Sequence, residues 1–444
     1  MKRSNYPAFP PLLAAALLLF AGINGGAQSA KDGQKPPSTP PASSLKDLNY
    51  QGGDAAIPTL RDSVISPDSK FRQSFLKRGM ALRVVVQLQY AQNMLQAPVP
   101  AHDQVYVGQR PFEGAMVQPI LTADLHQLHL RHTQLYIGGV WNWVSWNPAG
   151  PKSFQLWDLY LYKSLGQRRA EIKAGYISMN LDFVGLFVGG STATGGQGVY
   201  AVLPYEDGMS YFPLTSPAFT LRLRGPKHTY FKFGAQRSID PSGGPTEVKR
   251  NHTGFRFIPH GDKLLLINEA GYQRNASDSA HEAWFRAGYM HNSTAYSNVV
   301  TGQPESGNYC GYVLMDYQLH RSSLEHPGHG LYLGGTFMTV PDTLNAYTRY
   351  YELRFYKEAP FRSRPTDLLS FVATRTNYSR HLTDSLVTQG KTVWRDGTTL
   401  TASYALHASP GNYLGAGVSY MYGPAITPRV SNAFKFIASW TTYF

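Results

Sequence analysis

Cysteine is almost missing. Cys310 is the only one in 444 residues, which rules out an intramolecular disulfide and leaves a lone thiol, read as an inert strand residue. Long hydrophobic runs are missing as well. The apolar stretch from Leu12 to Ala21 is too short to cross roughly 30 Å of hydrocarbon as a helix. No later segment approaches the ~18 apolar residues that a membrane helix needs. Acid is scarce beside base: 28 Asp and Glu stand against 41 Lys and Arg, a net charge of +13. The basic residues are spread along the chain and alternate with aromatics. That pattern sets nucleic acid aside and favours contact with lipopolysaccharide or a cationic interior.

Signatures of catalysis and of bound cofactors are also lacking. GGSTATGGQG (189–198) has Gln197 where a phosphate-binding loop would need Lys, and no strand-then-helix context surrounds it. Ser191 is followed by Thr192 and Ala193, so no nucleophile elbow is present. His126, His129 and His132 recur every third residue. On a strand or turn that spacing puts neighbours on opposite faces, so a polar turn is expected rather than a metal site. Glu206 and Asp207 are adjacent rather than opposed across a cleft, which gives no acid/base pair. The expectation is a protein with no metal, no cofactor and no enzymatic activity.

What remains is distinctive. Residues 1–27 have the parts of a secretory signal: Lys2 and Arg3, the apolar run, then Gly25-Gly26-Ala27, with cleavage expected after Ala27. Residues 28–79 read as a periplasmic linker and lead-in, rich in Pro and Ser up to residue 45 and then broken by turns at the mouth of the following domain. Tyr 29, Phe 22, Trp 7 and Gly 42 combine with only 16% charged residues. Such a composition suits strands that are apolar on one face and polar on the other.

From residue 80 the period is two. In LRVVVQLQY, Leu82, Val84, Val86, Leu88 and Tyr90 share one face while Arg83, Gln87 and Gln89 share the other. About sixteen such segments fill 80–444, with ends near 82–90, 117–127, 131–144, 154–162, 169–177, 216–224, 228–237, 263–273, 280–292, 308–319, 329–340, 346–358, 367–379, 398–408, 411–422 and 431–444. A seventeenth candidate, TGFRFIP (253–259), is assigned to a loop, because an extra strand would put the 292–308 connection on the short-turn side. The last strand places Phe434, Phe436, Ala438, Trp440, Thr442 and Phe444 on one face. An edge this apolar must pair with the first strand. The fold class is therefore all-β: a transmembrane antiparallel β-barrel of about 16 strands, carried by residues 80–444, in the outer membrane of a Gram-negative bacterium. Trp440 and Phe444 are the expected signal to the barrel assembly machinery.

The 178–215 connection is unusually long and holds Phe183, Phe187, Tyr200, Tyr205, Tyr211 and Phe212. Loops of this length are usually functional, and its apolar side chains suit an inward fold that narrows a pore; an outer lid is the alternative. Facing it, inward positions offer Arg169, Glu171, Lys173, Arg222, Glu269, Trp284, Arg286, Glu352 and Arg354. Rings can stack on sugar faces and charged groups can bond hydroxyls. The same residues also suit a merely solvated lumen.

The run LWDLYLYKSLGQRRAEIKAGYISMNLDFVGLFVGG (156–190) resembles the carbohydrate-selective porin family at Tyr162, Gly175, Asp182 and Phe183. Further likeness lies in 212–236, in LLLINEAGYQ (264–273) with Glu269, in WFRAGYMHNS (284–293), in 311–319 and in 330–361. The residues of 403–424 depart from the family's pattern. The resemblance implies passive diffusion of small sugars through a barrel of roughly sixteen strands, with Asp182 and Phe183 on the constriction loop. Three other functions stay open on the residues: an anion, phosphate or general porin; a lipase-type outer-membrane enzyme; and an adhesin. Outer-membrane lipid is the expected surrounding, as a monomer or a trimer.

Overall fold

Alternation of apolar and polar residues leaves each segment one face for lipid and one for water. Only a closed sheet can then satisfy the backbone within a membrane. The computed structural model describes residues 48–54, 58–146, 152–184, 203–257, 261–277 and 279–444. The expected signal 1–27, the start of the linker, the 189–198 glycine stretch, Phe187 and Tyr200 lie outside them.

The strands are β1 (Met80–Asn93), β2 (Phe112–Asp124), β3 (Thr133–Val144), β4 (Ser153–Leu165), β5 (Ala170–Ile177), β6 (Ser216–Arg224), β7 (Thr229–Arg237) and β8 (Leu264–Arg274). They continue as β9 (Ala283–Ser297), β10 (Pro304–Arg321), β11 (Gly330–Thr339), β12 (Tyr347–Glu358), β13 (Leu368–Tyr378), β14 (Asp396–Ser409), β15 (Asn412–Tyr422) and β16 (Ala433–Tyr443). All pair antiparallel with their sequence neighbours and close as one barrel of sixteen strands. Closure comes from β1 against β16 in the register Val85↔Tyr443 to Asn93↔Lys435. Phe444 completes it, donating its N–H to Val84 O (2.9 Å). The apolar edge foreseen for the last strand is thus consumed by pairing, and Phe436 and Trp440 face outward at 40% and 41% exposure. Among the described residues no helix is long and apolar enough to cross a membrane.

Connections alternate in length. Turns such as 166–169, 225–228 and 410–411 mark one end of the barrel; the connections 94–111, 178–215, 238–263 and 379–395 mark the other. Residues 253–257 are loop, not strand. The 292–308 connection is shorter than the alternation suggests, since β9 runs on to Ser297 and β10 begins at Pro304. Asn298 makes the tight link possible: its Oδ1 accepts from Val300 N (2.8 Å) and Thr301 N (3.1 Å).

The barrel is not hollow throughout. Helix α1 (Lys70–Leu76) packs beside the start of β1 at the turn end. The chain before it crosses that end. Leu48 O accepts from Thr122 Oγ1 of β2 (2.8 Å), and Asn49 O accepts from Gln134 Nε2 of β3 (3.0 Å). Farther along, Asp62 Oδ1 accepts from Gly411 N (2.7 Å), and Val64 N donates to Tyr443 O (2.9 Å). The 178–215 connection enters from the other end. Met179, Phe183, Leu203 and Met209 are fully buried in the main core cluster together with inward residues of β3, β4 and β8–β12.

Candidate functional site

One inward row crosses five strands: Glu171 (β5) faces Arg222 (β6), which faces Lys232 (β7), then Glu269 (β8), then Gly288 (β9). Directly opposed residues share a face of the sheet, so charges of both signs meet side by side. Two glycines bring in phenols. A Cβ on Gly288 would stand 2.1 Å from the Tyr312 ring, and one on Gly271 would stand 2.4 Å from the Tyr230 ring. Both rings lie flat over these vacant positions. Their hydroxyls consequently reach Glu269, each at 2.9 Å, and Glu269 also takes Lys232 at 2.8 Å. Trp284 Nε1 donates to Tyr230 OH (2.9 Å), and the Arg286 guanidinium stacks 3.8 Å from the Trp284 ring.

Two inserted segments complete this wall, each with one carboxylate. From the 178–215 connection, Asp182 accepts from Lys173 Nζ (2.6 Å), and its carbonyl takes Lys232 Nζ (2.7 Å). Phe183 lies under Lys232 at 5.4 Å; a side chain at Gly234 would collide with its ring at 2.9 Å. Arg286 Nη2 donates to Val184 O (2.8 Å). Burial raises the Asp182 carboxyl, against the pull of Lys173. From the lead-in, Asp54 accepts from Arg222 (2.5 Å), from Arg286 (3.3 Å) and from Lys232. Burial alone would raise its pKa. Lys232, Arg222 and Arg286 outweigh that and hold it at about 2. A charge taken out of water is tolerated only when it is paired and hydrogen-bonded. The wall's own cations outnumber its acids, and Asp54 and Asp182 supply the deficit.

Farther along the same connection, helix α2 (Leu203–Glu206) lies against the loop ends of β9 and β12. Tyr347 N donates to Glu206 Oε2 (3.2 Å), and Asn292 Nδ2 donates to Asp207 O (2.6 Å). Burial pushes Glu206 up to about 8 and Asp207 well above its ordinary value. In both, burial favours the protonated form.

The opposite wall is different. Its inward rows read Ser370–Ser403–Gly417–Ile437–Ala91 and Leu368–Ala405–Gly415–Ser439–Gln89. Ser370 Oγ meets Ser403 Oγ at 2.7 Å, and Thr401 Oγ1 meets Ser419 Oγ at 3.0 Å. Gln87, Ser403, Gly415, Gly417 and Ser439 are half-buried, and Gln89 is exposed although it stands in mid-strand on the inner face. Water reaches this wall from inside. Between the two walls, Arg354 binds Asp316 through two nitrogens (3.0 and 2.6 Å) and also contacts Glu352.

The model of the carbohydrate-selective porin family, OprB, matches residues 95–436. The chain belongs to that family. The fold of this porin is shared with solved structures at low identity. The high-pH structure of Pseudomonas putida OprB superposes with a TM-score of 0.70 at 14% identity, covering 86% of this chain and 98% of that one. Salmonella typhi OmpF in complex with daunomycin gives 0.52 at 8%, covering 83% and 99%. An anion-selective porin from Comamonas acidovorans gives 0.50 at 10%, covering 82% and 99%. No curated sequence matches the porin.

Of the residues singled out in the sequence, Glu171, Lys173, Asp182, Phe183, Arg222, Glu269, Trp284 and Arg286 come together in the charged wall, with all but Trp284 buried. Glu352 and Arg354 form the second cluster. Arg169 does not join either; it is exposed in the turn before β5 and donates its N–H to Gly166 O (3.2 Å). A tight turn ends the strand one residue sooner than alternation alone suggests. Sequence reasoning missed Lys232, although TYFKFG places it on the inward parity of β7. It also missed Asp316, inward on β10, and Asp54, for which nothing local gives a signal. His126 lies in a short 3-10 turn (Leu125–Leu128), and His129 and His132 have positive φ of 62° and 56°, which is the polar turn that was expected. Among the described residues no group of acids, histidines and cysteines could hold a metal.

Proposed function

We infer that this outer-membrane porin passes small carbohydrates by diffusion along the middle of the wall formed by β13–β16 and β1, which is lined by hydroxyls, amides and glycines, with no cofactor and no covalent step. The observation that carries the route is Gln89, exposed on the inner face in mid-strand and flanked by Ser439 and Gly415. Hydroxyls, amides and bare glycine backbone exchange hydrogen bonds with a sugar as readily as with water, so a sugar crosses without a deep binding well. The inward 178–215 connection narrows the lumen from the other side. Outward rings such as Phe219, Phe285, Phe371 and Trp440 supply the surface for outer-membrane lipid, and the strand ending at Phe444 supplies the assembly signal.

Swelling of liposomes holding the purified porin, across a series of mono- and disaccharides, tests this directly. Rates that fall with solute size support diffusion along this lane, while no swelling in any sugar sinks it. The cation-rich wall favours one second reading, an anion-selective porin. A strongly anion-selective reversal potential, unaffected by added sugar, would decide for that reading.

A further inference from the structure

Asp54 occupies an unusual position. Its carboxylate is held by three cations from three different strands: Arg222 on β6, Lys232 on β7 and Arg286 on β9. A backbone bond, Asp54 N to Leu181 O (2.8 Å), ties the residue to the inward loop. The carboxylate comes from the lead-in, not from the barrel. The segment bearing it lies in a fitted seat: Tyr50 packs edge-on against Tyr136 (5.6 Å) beneath Lys173 (5.0 Å). Gly52, at φ +76°, passes so close to Tyr162 that a Cβ would come within 2.7 Å of its ring. Gln51 Oε1 accepts from Arg168 Nη2 (2.9 Å).

If residues 48–54 are lifted out, what remains is a buried cationic recess within the lumen. Glu269, with Tyr230 and Tyr312 bonded to it, borders the recess, and the Trp284 ring lies beside it. Two of its cations are guanidiniums, whose planar forks suit carboxylate oxygens. The neighbouring rings and hydroxyls suit a polyol.

We propose that Asp54 is a tethered substitute for a solute carboxylate: the Arg222–Lys232–Arg286 recess is a binding site for sugar acids, which the lead-in fills and a sugar acid empties by competition. This rests on the porin function given above. Competition follows from mass action, since whatever binds only the unseated state shifts the population toward it. A neutral sugar brings no charge for the three cations and leaves Asp54 in place.

The test uses the full chain in lipid bilayers and liposomes, with D-glucose and D-glucuronate as probes and Asp54→Asn and Asp54→Glu as variants. Asn keeps the shape of the side chain and removes the charge that holds the seat. The ratio of glucuronate to glucose permeability is expected to rise by roughly tenfold in Asp54→Asn, the lower end of what focused charge does to local ion concentration. In Asp54→Glu it should stay near the wild-type ratio. Hydrogen exchange on the unmodified protein gives an independent measure: the Asp54 amide should exchange faster in glucuronate than in glucose at equal concentration. Glucose permeation with an unchanged ratio in Asp54→Asn, or exchange that is the same in both solutes, overturns the sugar-acid site and leaves the porin function standing. Failure of glucose to permeate any form overturns both.

Discussion

Between β5 and β9 the inner wall carries Glu171, Lys173, Arg222, Lys232, Glu269 and Arg286, all buried. From β13 through β16 to β1 it carries Ser370, Thr401, Ser403, Ser419, Ser439, Gln87 and Gln89 together with two glycines, Gly415 and Gly417. The first wall is covered by two inserted segments; the middle of the second reaches water at Gln87, Gln89, Ser403 and Ser439, with Arg83 and Lys435 inward near its ends. The difference has an electrostatic cause. An excess of buried cations attracts any carboxylate the chain can bring to it, and here the chain brings Asp54 and Asp182. A wall of hydroxyls and amides is satisfied by water along its middle, and the lead-in meets it at the turn end, where Asp62 takes Gly411, His407 and Tyr413. On the function proposed above, the charged half is a seat and the half lined by hydroxyls and amides a passage, the reverse of what charge alone suggests for a sugar route.

Removing a cation from the seat should produce the largest effect. Lys232→Met leaves Asp54 and Glu269 buried with one partner fewer, and the porin should lose about 3–5 kcal/mol of stability, the usual cost of breaking a buried pair. Denaturant unfolding in lipid vesicles checks this. A loss no greater than that of an exposed surface substitution would show that the two walls are energetically alike.

The covering segments should also respond to pH in opposite senses. Asp54, held at about 2 when seated, contributes fully to seating above its ordinary value of 3.8 and loses that contribution as pH falls toward 2. Glu206 is raised from 4.5 to about 8. Its loop is unpenalised below 4.5 and becomes progressively less favoured inside the barrel as pH rises toward 8. After allowance for partial exposure the penalty is on the order of 2 kcal/mol. Protection across 203–210, taken relative to the intrinsic amide exchange rate at each pH, should be lower at pH 9 than at pH 5, and Glu206→Gln should flatten the difference. A slope that survives the substitution would assign the response to another group.

On the open wall the expected effects are on flux before stability. Ser403→Trp puts a ring into the passage, and sugar permeation should fall by roughly tenfold, equivalent to about 1.4 kcal/mol in the barrier, with little change in unfolding. Unaltered swelling rates would move the route elsewhere. The smallest effect belongs to Thr401→Val. It removes one hydroxyl from the buried pair with Ser419 and should cost about 1 kcal/mol, the lower end for a buried hydroxyl that loses its partner. A cost as large as that of Lys232→Met would erase the distinction between the walls.

Alternation with period two, read along the chain, placed all sixteen strands to within about five residues, since each inward or outward choice is local, and the seventeenth was set aside by the alternation of long and short connections. The aromatic edge of β16 and its closure on β1 were legible for the same reason. Most members of the charged wall were legible too, as inward-facing ionisable residues. What only the tertiary structure decided is which of them a solute can reach. Asp54 is separated from Arg222, Lys232 and Arg286 by well over a hundred residues, and nothing in the residues around it marks it as their counter-ion. Arg169 was lost to the wall because a turn, not alternation, sets its position. Parity along a strand determines which way a side chain points; what stands in front of it depends on long-range neutralisation of buried charge, and that is settled only when the lead-in and the long connection enter the closed barrel.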